Sequence, residues 1–338
     1  MDKRIVTFGE IMLRFKPMYG EKLFQYPVFD AVFGGGEANV AVSLANYGMN
    51  AAYVTVLPDN DIGYSCRNAL RAFGVDTSNI TFEPGRMGLY FFEKGSNQRP
   101  SRVIYDRADS AIAKAEYIDW GKAFSGATWF HVSGITPAIS ESAARLTLEG
   151  ARTAREKGIT VSCDFNYRKN LWKWGKSPAE VMPSIFACAD VAFAGMDDFR
   201  NFLGVESPEN ARPSYAEYIA LTKRTMVAYP NIKLLVSTFR ESSNADINTL
   251  SACMCDGKNF YASRSYTLTD IIDRVGGGDA FAAGLIYGLN ALGDNQAALE
   301  FAVAANCLKH TISGDFNRCS VTDVLSLAGG ACDGRVQR

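Results

Sequence analysis

The chain has 338 residues, enough to bury a full core, and its 47% apolar and 21% charged residues place it among globular proteins, away from the composition of disordered chains. Lys and Arg total 35 against 36 Asp and Glu, so no global field draws the protein onto nucleic acid or an anionic membrane, and an anionic ligand must be held by local groups. Eight cysteines without CxxC spacing argue against a disulfide framework or a zinc ribbon, and two histidines, His131 and His310, leave little material for a His-rich metal centre or a serine-hydrolase triad.

The N-terminal MDKRIVTFGE has no long apolar core of a leader peptide, and no apolar run reaches the roughly 18 residues of a membrane span, so a cytoplasmic address is expected. Strand-like residues 5–8, a helix over 37–47, a strand over 52–57 and a helix through 67–73 closed by Gly74 set up βαβ punctuation. The alternation returns with strands at 129–132, 159–164, 191–194 and 234–238 and a helix over 143–156. A mostly parallel, doubly wound α/β sheet is the expected fold, as one domain over 1–330.

Two stretches break the alternation, about 12–33 and 88–108, where LYFFE and RVIYD flank a Gly-Ser-Asn-Gln turn. Chain topology lets them pair into one small antiparallel sheet, a lid over a site at the strand ends; the plainer reading is an edge hairpin. The last third predicts a hairpin at Asp256-Gly257, helices over 279–292 and 295–311, a capping box in Ser320-Val-Thr-Asp323, and a frayed tail over 331–338.

The sharpest local pattern is Asp273-Arg-Val-Gly276-Gly277-Gly278-Asp279, followed by Phe281, Leu285 and Leu289 at helical spacing. Glycines that open a helix offer unpaired N–H groups and a positive dipole end to an anion. Asp279 reads either as a helix cap or as the base that takes a hydroxyl proton while the N–H groups hold a transferring phosphoryl group. A second glycine run, Gly34-Gly35-Gly36-Glu-Ala-Asn39, also opens a helix; it lacks the Lys-Ser/Thr of a P-loop and suits close backbone approach to a polyhydroxylated ligand, with Asn39 offering donor and acceptor.

With Asp164-Phe-Asn166-Tyr-Arg168 and Leu171-Trp172 in mid-chain, these motifs resemble, in order and over nearly the whole chain, the PfkB (ribokinase-like) carbohydrate kinases. The resemblance implies a ribokinase-like α/β fold with a β lid, ATP with Mg²⁺ as phosphoryl donor, and a homodimer or higher homo-oligomer. Phe8-Gly-Glu-Ile-Met-Leu-Arg14 and Tyr105-Asp-Arg107-Ala-Asp-Ser-Ala111 are most similar to the 2-keto-3-deoxygluconate kinases within it. Carried over, Gly34, Gly35, Asn39, Tyr90, Tyr105, Arg107 and Arg168 meet the sugar acid. Asn166, Ser237, Arg240, Gly276, Gly278 and Asn306 meet the nucleotide, and Asp279 with Gly276, Gly277 and Gly278 carries catalysis.

Two arginines suit a substrate carboxylate, which calls for charge-assisted bonds from a planar fork. The plainer readings make Arg107 an exposed strand residue, Arg168 a surface ion-pair partner, and the two tyrosines small-sheet core. The chain departs from the family at Gly277, commonly Ala and a change harmless to an anion hole. It departs again at Arg274, commonly Thr, which either assists charge stabilisation or pairs with Asp273. A third departure is Gly195-Met-Asp197-Asp198, where Asn-x-x-Glu organises Mg²⁺ and water. Rival readings are a fructokinase or another kinase of the family, and a sugar-binding regulator without catalysis.

Overall fold

A computed structural model describes residues 3–168, 170–203 and 214–330; the tail over 331–338 lies outside the described residues. Along the chain run β1 (Arg4–Phe8), β2 (Met12–Pro17), β3 (Phe29–Gly34), α1 (Gly36–Asn46), β4 (Asn50–Pro58), α2 (Asp61–Ala72), β5 (Ile80–Glu83), β6 (Gly88–Glu93) and β7 (Arg102–Asp106). Then come α3 (Ala111–Lys114), α4 (Trp120–Ala123), β8 (Ala127–Ser133), a 3₁₀ turn at Thr136–Ala138, α5 (Glu141–Glu156), β9 (Thr160–Asp164), α6 (Pro178–Phe186), β10 (Val191–Phe193) and α7 (Met196–Leu203). The last stretch holds α8 (Tyr215–Ala228), β11 (Leu234–Ser242), β12 (Asn248–Cys255), β13 (Phe260–Ala262), β14 (Tyr266–Leu268), α9 (Gly277–Ala291), α10 (Asn295–Lys309) and α11 (Val321–Ala328).

The large sheet has the order β13-β12-β11-β10-β9-β8-β1-β4-β5, with β14 also on β12. Strands from β11 to β5 in that order are parallel to their neighbours, and the β12 edge is antiparallel. Period-two alternation divides the core between the two faces. Val6, Phe8, Phe130, Val132 and Val161 pack with α5, α6 and α7, while Ile5, Trp129 and Val236 pack with α1, α9 and α10. Both faces are covered, which is why these strands read as near-continuous apolar runs.

The small sheet is separate, with the order β3-β2-β6-β7. Its β2–β6 pair is parallel and the outer pairs are antiparallel. One face gathers Phe15, Phe24, Phe29 and Phe91, with Phe15 stacked on Phe91 at 5.5 Å between centroids. On the other face Met12, Tyr90 and Phe92 form a buried cluster against Val275, which precedes α9. The small sheet is therefore rooted beside the glycine turn. The β2–β3 pair is inserted between β1 and α1, inside the first βαβ unit and not on its near side as expected, while β6–β7 follows β5; the two pairs join through the parallel β2–β6 contact.

Candidate active site

Two helix starts converge outside the carboxyl ends of the parallel strands, where open α/β sheets place their ligands. Gly34 and Gly35 make the turn from β3 into α1, and Gly276 is the N-cap of α9, held in the left-handed region at φ 83°. That conformation favours glycine, and a Cβ there would stand 2.2 Å from the Asp315 carbonyl oxygen. Gly277 is as constrained, because a Cβ on it would lie 2.6 Å from His310 Cε1 and 2.8 Å from Asn306 Oδ1. The exchange of the family's Ala for Gly277 is thus not a neutral one: the methyl's space is filled by Asn306 of α10 and by His310 at its C-terminal end. Gly278 differs, since a Cβ there meets nothing within 4 Å and points into open space.

Asp279 is the third residue of α9, so the cap reading gives way to Gly276 as the cap. Its carboxylate oxygen Oδ2 accepts from Asn39 Nδ2 at 2.6 Å, and Asn39 Oδ1 in turn accepts from Gly35 N at 3.3 Å. Asn39 is buried with one bond at each polar end inside the protein, so it orients Asp279; its second N–H and the other lone pair of Oδ1 are not used by these bonds. Burial raises the Asp279 carboxyl to about 7; the Asn39 bond and Arg168 pull it down, while the charges of Glu37 and Asp315 push it further up. Glu37 is itself buried, and its Oε1 accepts from Ser133 N, Ser133 Oγ and Thr136 Oγ1 at 3.1, 2.7 and 2.9 Å. The start of α1 is thereby tied to the end of β8.

Beyond the end of β9, Asn166 adopts φ 42° and donates its N–H to Asp164 Oδ1 at 3.1 Å. Burial, then Asp279 and Asp198, hold the Asp164 carboxyl well above its ordinary range, with Arg168 pulling it back. In the altered Asn-x-x-Glu segment Asp198 Oδ2 accepts from Gly195 N at 2.6 Å, so the shortened acid still caps the turn. Arg168 is exposed. Burial lowers the Arg240 guanidinium, and the charges of Arg274 and Arg168 lower it further, which places three cations around one cleft. Arg274 does not take Asp273, whose carboxylate is held by Arg14; it donates to Ala245 O at 2.5 Å.

Asn306 is buried beneath Gly277 with Oδ1 lacking a hydrogen-bond partner, a free acceptor beside the anion turn. Ser237 is the first residue past the parallel register, which ends at Val236, but β11 continues to Ser242, so Ser237 is still within the strand, paired with Cys253 and buried, and Arg240 lies further along the same extension.

In the small sheet Tyr90 and Tyr105 are cross-strand partners with ring centroids 6.1 Å apart. Tyr90 is buried and donates its hydroxyl to Asp315 Oδ2 at 2.5 Å, whereas Tyr105 is 37% exposed. Arg107 is not an exposed strand residue: it is buried past the end of β7, lies over the Tyr105 ring, and donates from Nε to Glu10 Oε2 at 2.6 Å. Ser110 Oγ donates to the other Glu10 oxygen at 2.5 Å. No sequence pattern pointed to Asp315 or His310 as parts of this neighbourhood. Glu10, Arg14, Glu37 and Asp164 stood inside quoted motifs without a role.

Comparison with known proteins decides the family: the chain matches pfkB family carbohydrate kinase over residues 2–229. The chain belongs to the pfkB family of carbohydrate kinases. A crystal structure of 2-dehydro-3-deoxygluconokinase from Thermotoga maritima is similar at 42% identity and a TM-score of 0.92, covering 97% of this chain and 100% of that one. The 2-dehydro-3-deoxygalactonokinase of Haloferax volcanii is 32% identical over 93% of each chain. Probable fructokinase-3 of Arabidopsis thaliana is 30% identical over 88% of this chain and 79% of its own. For this pfkB kinase the ribokinase-like sheet with its separate small sheet is the shared architecture. Among the described residues, no helix is long and apolar enough to cross a membrane.

Proposed function

We propose that this kinase transfers the γ-phosphoryl group of ATP to the C6 hydroxyl of 2-dehydro-3-deoxy-D-gluconate, with Asp279 as the base. The observation that carries the reading is Asp279 itself, an acid raised to about 7 beside a helix start whose Gly278 faces open space. Such a carboxylate is deprotonated often enough at neutral pH to accept the hydroxyl proton, and basic enough for the transfer to be favourable. The first-turn N–H groups of α9 lack acceptors within their own helix and stabilise charge on the transferring group. Arg240 and Arg274 supply further positive charge around the polyphosphate.

Mg²⁺ fits as a nucleotide-borne ion. Among the described residues no three His, Cys, Asp or Glu side chains are grouped to hold a metal directly, yet Asp198 lies near enough to Asp164 to add, after burial and Asp279, to the raising of its carboxyl. One or two carboxylates plus phosphate oxygens and water is the coordination Mg²⁺ favours. Bound there, the ion would neutralise phosphate charge, and Asp164 and Asp198 would orient its water shell.

The acidic acceptor is supported by the similarity to 2-dehydro-3-deoxy sugar acid kinases and by Arg168 and Arg107 on the sugar side. Glu10 occupies one edge of the Arg107 fork; a guanidinium carries five N–H donors, so another edge remains for a carboxylate. Incubation with Mg-ATP and the sugar acid should release ADP and yield a single ³¹P resonance coupled to the C6 protons. Release of ADP with fructose and none with the sugar acid would overturn the reading while leaving the kinase assignment intact.

A further inference from the structure

Two carboxylates lie directly behind the α9 glycine turn, an unfavourable place beside a site that must receive an anion. Asp273 is wholly buried, and it accepts from Val275 N and Gly314 N at 3.2 Å each, so it braces both segments that flank Gly276. Asp315 is buried as well, and its carbonyl oxygen fills the space where Gly276 lacks a Cβ. Arg14 reaches both acids from β2 of the small sheet. Its side chain is fully buried, with one terminal nitrogen 2.6 Å from Asp315 Oδ1, the other 2.5 Å from Asp273 Oδ2, and the guanidinium 4.7 Å from the centre of the Phe92 ring.

We propose that Arg14 is a positioning residue for phosphoryl transfer: it spans Asp273 and Asp315, cancels their charge behind the anion turn, and locks that turn to the root of the small sheet. The contacts join residues 259 and 301 positions apart, and among the described residues Arg14 is the side chain paired with both acids. Lys309 completes the balance. Its ammonium is buried and donates to Ile312 O at 3.1 Å, with a Cβ on Gly276 falling 3.2 Å from its Cε. Tyr90, the neighbour of Arg14 in register, adds a second grip from the small sheet through its hydroxyl on Asp315.

With Arg14 present, the two buried carboxylates face two buried cations, Arg14 and Lys309, with the more exposed Lys16 at the edge, its Nζ 3.9 Å from Asp273 Oδ2. Without it, Lys16 still reaches Asp273 but Asp315 loses its ion-pair partner behind N–H groups that must attract a phosphoryl anion, and a buried charge left without its partner is strongly destabilising. A charge role differs from a packing role in one respect: removal of one carboxylate should repair it.

The proposal rests on the reading of residues 276–278 as the phosphoryl cradle, and the two fail differently. If the cradle is elsewhere, Gly278→Val is active; if Arg14 is only packing, Gly278→Val is inactive while the Arg14 results below do not follow. The experiment compares wild type, Arg14→Met, Asp315→Asn and the double variant for kcat, for sugar and ADP dissociation constants, and for thermal unfolding. Arg14→Met should lower kcat on the order of 100-fold with sugar affinity within about threefold, and the double variant should regain about tenfold or more of that loss. A folded Arg14→Met with near-normal kcat, or a double variant no better than the single, overturns the proposal. Should Arg14→Met alone not fold, the double variant is compared with Asp315→Asn. A kcat within about tenfold supports the charge role, and a loss on the order of 100-fold or more contradicts it.

Discussion

At the scale of single residues, burial keeps the Asp279 carboxyl far above its ordinary range. Asp279 has an ordinary value of 3.8 and about 7 in the folded protein, so between those values the folded chain holds a proton that the unfolded chain has released. Stability then falls as pH rises from about 4 to 7, and the whole cost is present above 7. Asp279→Asn should therefore raise Tm at pH 8 by on the order of 1–3 °C, with the gain vanishing near pH 4, while kcat drops on the order of 10²- to 10⁴-fold and both substrates still bind. Calorimetry and steady-state kinetics on one preparation check both halves. A variant with near-normal turnover reduces Asp279 to a first-turn acid.

The same value sets the pH profile. Only the ionised carboxylate accepts a proton, so kcat/KM should fall about tenfold per pH unit below roughly 7 and level off above it. The Asn39 bond is what holds the value down, so Asn39→Ala should move the acid limb to higher pH. A limb that stays in place shows that another group controls the rate. Asn39 also shows where reading a sequence stops. Its residue type fitted sugar hydroxyls, and nothing local announced a partner 240 positions away.

At the scale of elements, the proposed chemistry falls at the start of α9, where three glycines meet different surroundings. Gly276 takes a left-handed turn, Gly277 makes room for Asn306 and His310, and Gly278 leaves the cleft open. Gly278→Val should keep the fold, since its Cβ meets nothing, and abolish transfer by filling the space of the transferring group. Gly277→Ala should also lose activity, through a shifted turn, and Gly277→Ala with His310→Ala should recover part of it. Circular dichroism and turnover distinguish the cases: a fully active Gly278→Val refutes the cradle, and an equally impaired double variant refutes the clash with His310.

This helix was readable because glycines followed by apolar residues at helical spacing are a local pattern. Strand β11 was readable only as far as its buried half. Beyond Val236 it runs on past the parallel strands, held by six paired positions with β12, and its alternation there reflects a partner that the segment itself does not reveal. Ser237 was placed beyond a strand end for that reason. Helices α6 and α8 and strand β5 carried too weak a period to stand out. The capping boxes of α6 and α8, Ser177 with Glu180 and Ser214 with Glu217, are the signals that could have found the two helices.

At the scale of the whole molecule, a twisted parallel sheet brings distant motifs to one end, and a small sheet stands over them on a charged root. The order of the motifs and the βαβ rhythm made the architecture legible. The charge pairs Arg14 with Asp273 and Asp315, and Arg107 with Glu10, were not, because their spacing along the chain is set by topology. The arrangement argues for an acidic acceptor: a neutral sugar would leave the cationic donors of the cleft unpaired, which polar sites penalise by up to roughly 10⁴-fold or more. The direct measurement is the ratio of kcat/KM for 2-dehydro-3-deoxygluconate to that for fructose at saturating Mg-ATP with the wild-type protein. The account predicts a ratio of about 10³ or greater, and a ratio at or below one would contradict it.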